Sequence, residues 1–172
     1  MKNKTRWITE TAIMLALLVI LQAVTKSAGQ LVTGSCVNAV LAVTALVAGL
    51  SSGLTVALVS PFVAFLLGIG PQLLPIVPAI ALGNAVYVLL LERLYSKKTA
   101  IWKVLALICA AAAKFLALHL VVVRFLCNVL PLKQPQITTF STMFTWPQLI
   151  TALIGGAAAL LIVPVVRKAL HR

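Results

Sequence analysis

Lys114, His119 and Arg124 stand in KFLALHLVVVRF (114–125), an otherwise apolar run. Inside a membrane an ionisable side chain needs water, a hydrogen-bonding partner or a ligand, and such a residue is a candidate for function by default. Lys114 and Arg124 carry donors and positive charge, so the chemistry they offer is the holding of a polar or anionic small molecule. Uncharged groups of similar use lie elsewhere. Asn128 follows in the same run, and Asn84 sits in PAIALGNAVYV, where an amide can serve helix–helix contact or a ligand. Trp146 and Gln148 stand in FTWPQL, with Pro147 in the first turn of a helix whose positive end would face the same site. Trp146 suits that site or an interfacial aromatic belt equally. Gln72 is read as opening the helix that carries Asn84, behind Gly70 and Pro71, and Gln30, Thr33 and Asn38 as flanking the first outer loop.

The elements that position these residues are apolar throughout. Of 172 residues 62% are hydrophobic and 9% charged, and no Asp, Glu, Lys, Arg or His occurs from Ser27 to Leu91. A water-soluble domain cannot cover its surface with such a segment, so the chain is an all-α integral membrane protein. Six spans are predicted: Trp7–Val24, Cys36–Leu50, Leu54–Gly68, Leu73–Leu94, Ile101–Asn128 and Pro147–Leu170. AGLSSG (48–53) is read as a tight hairpin between two short spans. Residues 1–172 form one membrane domain, and the first span is retained because no small-residue cleavage site follows it. Cys36, Cys109 and Cys127 have no metal-ligand spacing and read as free thiols in or beside spans, so neither metal nor cofactor is expected.

The net charge of +12 follows topology rather than marking a nucleic-acid surface. With both termini cytoplasmic, Lys2, Lys4, Arg6, Arg93, Lys97, Lys98, Lys103, Arg167, Lys168 and Arg172 lie inside, against Lys26 and Lys133 outside. The positive-inside rule then selects a multi-pass protein of the plasma membrane with an even number of spans. Lys114 falls near mid-bilayer, and Arg124 lies about 15 Å further out at roughly 1.5 Å per residue. At about 100° per residue Lys114, Leu118, Val121, Phe125 and Asn128 share a stripe, with Arg124 roughly 80° aside and His119 about 140° away. Lys114, Arg124 and Asn128 are therefore expected to line one cavity, while His119 points elsewhere. Glu10 and Glu92, the sole carboxylates, match neither cation in depth. Arg124 snorkelling to outer headgroups with Lys114 bonded to carbonyls is the other arrangement this geometry allows.

In ETAIMLALLVILQA, Ala12 and Ala16 are four apart near the cytoplasmic end of the first span, with Ala23 further along the stripe. Small residues at this spacing let another helix approach closely in lipid. This A-x-x-x-A, with the runs LGIGPQLLPIVPAIALGNAVYVLLLERL and TWPQLITALIGG, resembles the substrate-binding S components of energy-coupling factor (ECF) vitamin transporters over essentially the whole chain. The resemblance implies an S-component bundle that binds a vitamin or related micronutrient at its outer side through outer loops and the fourth to sixth helices. It also implies docking through Ala12 and Ala16 on a transmembrane scaffold subunit served by two cytoplasmic ATPases.

The chain has no G-x-x-x-x-G-K-[ST] loop with which to hydrolyse ATP itself. An intramembrane enzyme finds no support, since H-E-x-x-H is absent and both carboxylates are peripheral. A stand-alone facilitator or channel is the remaining alternative, and oligomerisation would favour it. A pocket with two cations and no carboxylate is expected to repel a cationic vitamin and to accept a neutral or anionic one.

Overall fold

The computed structural model describes residues 4–95 and 99–170. Lys2, Lys97, Lys98 and Arg172 of the charge count lie outside them. Helix α1 runs Lys4–Thr25, and a 3-10 turn at Lys26–Ala28 leads into α2, Gln30–Val43. A π-helical turn at Thr44–Ala48 extends α2. Helix α3 spans Leu50–Leu66 and α4 Ile76–Leu94. Helix α5 begins at Ala100–Leu118, passes into π-helix at His119–Leu126 and ends in an α-helical turn at Cys127–Val129. A short α6, Gln134–Met143, precedes α7, Trp146–Ala169. Among the described residues there is no strand, as a bilayer interior demands of segments that must satisfy their own backbone. Among the described residues five helical stretches are long and apolar enough to cross a membrane, and α3 is a shorter apolar sixth. The protein is a multi-pass membrane protein.

Three local expectations need correction. The second span begins at Gln30, not Cys36, so most of the polar stretch after α1 is helical. Its hydroxyls satisfy themselves on nearby carbonyls, Ser35 Oγ on Leu31 O at 2.7 Å and Thr33 Oγ1 on Thr25 O at 2.7 Å, so polarity does not end the helix. The hairpin expected over AGLSSG needs only Gly49, whose φ of 99° is open to glycine, and LSSG forms the first turn of α3. The stretch between the last two spans, expected to be a connection, contains α6, started by Pro135 and by Gln136 Oε1 accepting from the Lys133 N–H at 3.0 Å.

Two close helix crossings set up the site. On α7, a Cβ at Gly155 would strike the α2 backbone at Ser35 and Ala39, while Gly34 of α2 faces Thr151. Their glycines let α2 and α7 meet backbone to backbone. Gly83 plays the same part between α4 and α5, where a Cβ would come within 2.7 Å of Leu118 Cγ. These contacts bring Asn38, Asn84 and Lys114 to one depth.

The two ends of the bundle differ. At one, Arg167 donates to the Leu46 carbonyl, and the Tyr95 ring has Lys103 Nζ at 5.7 Å and Arg167 Cζ at 5.5 Å from its centroid. Arg6 pairs with Glu10 at 2.8 Å there, and Thr11 Oγ1 donates to Ser52 Oγ at 3.0 Å between α1 and α3. At the other end, a cavity opens.

Candidate functional site

The cavity has a volume of about 500 Å³, and all the long helices contribute to its lining. Asn38 and Asn84 each stand eight residues inside the first residues of their helices, Gln30 and Ile76. At roughly 1.5 Å per residue the cavity floor is therefore about 12 Å below those helix starts.

Lys114 makes the floor. It is 3% exposed, and its Nζ donates to Asn38 Oδ1 at 2.6 Å and to Asn84 Oδ1 at 2.7 Å. An ammonium has no acceptor, so both amides must turn their oxygens to it, which fixes their orientation chemically. The Tyr87 ring lies beside it, with Nζ 5.6 Å from the centroid, and Tyr87 Oη donates to Ala152 O at 3.2 Å. Asn38 is fully engaged, because its Nδ2 donates to Gly34 O at 2.9 Å and to Thr151 Oγ1 at 3.3 Å. Thr151 in turn donates to Gln148 O at 3.2 Å. Oxygen dipoles from α2 and α4 thus replace the counter-ion that neither Glu10 nor Glu92 supplies, compensating part of the cost of burying the charge.

The walls are apolar and aromatic, including Phe65 of α3, Ile80 of α4, and Phe140 and Phe144 at α6. Pro61 and Ser60 form the α3 side. The mouth carries amides. Gln30 Nε2 and Gln148 Nε2 both donate to Met143 O, at 2.7 and 3.1 Å, tying the end of α6 over the opening. Lys26 Nζ reaches Gly68 O at 2.6 Å and holds the loop between α3 and α4. Gln22 Oε1 also belongs to the lining, sealed from water and without a hydrogen-bond partner.

Of the residues singled out from sequence, Lys114, Asn38, Asn84, Gln72 and Gln148 line this cavity, as do Gln30 and Thr33. Gln72 lies in the loop before α4 rather than opening that helix, its Nε2 3.3 Å from Gly70 O. Arg124, Asn128 and Trp146 do not line it; all three are exposed. The expected common wall of Lys114, Arg124 and Asn128 is therefore corrected, and the cause is helix pitch. From His119 to Leu126 the backbone closes i→i+5 bonds, and each residue turns less than the 100° assumed. Burial runs Lys114, Leu118, Val122, Cys127, with steps of four, four and five, while Phe125 of the expected stripe is 59% exposed. Asn128 Nδ2 donates to Arg124 O at 2.6 Å, so that amide is spent locally. His119 stacks on Phe115 with centroids 5.8 Å apart, outside the cavity.

Sequence reasoning missed Gln22, Lys26, Ser60, Tyr87 and Thr151. Tyr87 carried a usable signal, standing one helical turn beyond Asn84 at i+3. Thr151 did likewise, three residues after Gln148 in α7. Ser60 and the α3 wall carried none, because their role is fixed by packing alone.

The bundle and its polar-floored cavity, open at one end, define a membrane-embedded protein built around a small-molecule site. Residues 6–167 match the family described as ECF transporter, substrate-specific component. The chain belongs to that family, whose members are the substrate-binding subunits of multi-subunit transporters. No curated protein and no solved structure matches it significantly.

Proposed function

We propose that this protein captures a vitamin or related micronutrient from outside the cell and delivers it to an ECF-type import machine. The observation that carries the reading is the cavity of about 500 Å³ at the end of the bundle away from most of its cations. That volume suits a small organic ligand, for which sites run roughly 300–1,000 Å³. Lys4, Arg6, Arg93, Lys103, Arg167 and Lys168 lie at the opposite end, against Lys26 at the mouth and Lys133 at the start of α6. The positive-inside rule orients such a distribution with both termini cytoplasmic and the mouth outward, in the plasma membrane.

Ala12 and Ala16 support the docking step. Both are exposed on α1, on a face that also shows Ile13 and Ile20, while Thr11 and Leu18 face the bundle. A scaffold helix can approach that face closely. Two cytoplasmic ATPases on the scaffold would supply the energy that this chain cannot generate. The test is reconstitution with the scaffold and ATPase pair. Ala12→Leu with Ala16→Leu should leave ligand binding intact and abolish both co-purification and uptake. Uptake by the protein alone would overturn the proposal.

A further inference from the structure

Resting on the cavity as the capture site, the geometry points to a ligand class: a monocarboxylate, entering carboxylate first, with a flat apolar body behind it. The floor presents donors almost exclusively. Lys114 Nζ has three hydrogens, and two are committed to Asn38 and Asn84. Both amide oxygens already face the ammonium, and both Nδ2 hydrogens of Asn38 are taken. The third ammonium hydrogen is left for the cavity. So is Asn84 Nδ2, which has no hydrogen-bond partner among the described residues although Asn84 is 2% exposed. Ser60, 1% exposed and equally unpartnered, adds a hydroxyl that can turn its hydrogen to the same point.

A donor-rich, positively charged floor is complementary to a group that only accepts. A carboxylate is such a group. An amide or alcohol must give its hydrogens to the Ser60 Oγ or to amide oxygens already turned to the ammonium, and a cationic head meets the ammonium directly. The charge is also limited to one. Arg124 lies outside, Lys26 stands at the mouth, and the floor holds a single ammonium, so a second deep anionic charge has no partner. Above the floor, Phe65, Ile80, Phe140 and Phe144 offer the body of the ligand apolar and aromatic surface, with Gln22, Gln30 and Gln148 also in the lining towards the mouth.

The test uses matched pairs on one body: indole-3-acetate with indole-3-acetamide and tryptamine, nicotinate with nicotinamide, and biotin with biotinamide. Affinities are measured on the purified full-length protein by native mass spectrometry and calorimetry. Acids should bind at least about 30-fold more tightly than their amides, the low end of what truncating a buried charge pair costs. Asn84→Asp, nearly isosteric, should neutralise the floor and shift preference toward the amide and the amine. That ratio is read within one folded population, so it is insensitive to a loss of stability. Ala64→Trp, which fills the cavity from α3, should abolish every binding event. Equal affinity for acid and amide, unmoved by Asn84→Asp yet lost in Ala64→Trp, would sink the ligand class and leave capture standing. Acid binding that survives Ala64→Trp would sink both. Should no acid of the series bind at millimolar concentration, the carboxylate assignment falls.

Discussion

Lys114 and Arg124 are ten residues apart on one helix and live in opposite surroundings. The first is sealed between two asparagines and a tyrosine ring, while the second is exposed. Both belong to the apolar run of α5, and neither has a carboxylate at its depth. What separates them is the pitch of the backbone between them, α-helical up to Leu118 and π-helical from His119. A cation's chemistry in a membrane is thus set by the face on which the helix presents it, and a local change of pitch can reassign that face within two turns.

The comparison breaks most readily at the lysine. Asn38→Leu removes one of the two acceptors of a buried ammonium, so about 3 kcal/mol of stability should be lost, the upper end for a hydrogen bond to a charged group. Denaturant unfolding in detergent measures it. Lys114→Met placed on top should restore part of the loss, since the orphaned charge goes with it; strict additivity of the two changes would mean that they do not interact. A smaller loss, about 1–3 kcal/mol, should follow Gly155→Leu, because a side chain there drives α2 from α7. The same change should weaken ligand capture by moving Asn38. At the arginine, Arg124→Ala should change stability by no more than about 0.5 kcal/mol, as surface substitutions do, and leave ligand affinity unchanged. A loss of affinity there would return Arg124 to the cavity. The pitch itself is read by spin labels on a chain stripped of its natural cysteines: Phe125→Cys should be open to oxygen collisions from lipid, and Val122→Cys shielded. The reverse pattern would restore the regular α-helical stripe.

Much of the site was legible as residue types. Asn38, Asn84, Lys114 and Gln148 stand out because a polar group in an apolar run must be satisfied or used, and that cost is visible without coordinates. Partnership was not legible. Nothing in the spacing of Asn38, Asn84 and Lys114 says that their oxygens and nitrogen converge, since they lie on three helices brought together by Gly34, Gly83 and Gly155. The cavity walls were equally hidden, because an apolar residue lining a cavity and one facing lipid look alike in sequence.

Composition alone determined that the chain lives in a membrane and is helical, because a backbone without water must bond within itself. Its A-x-x-x-A and the runs beside it were enough for the resemblance that the family match bears out. Tertiary structure decided the extra helical turns before Cys36, the short α6 over the mouth, and which of two cations turns inward. Each depends on long-range packing or on hydrogen-bond register, and neither is written in the hydropathy of any single segment.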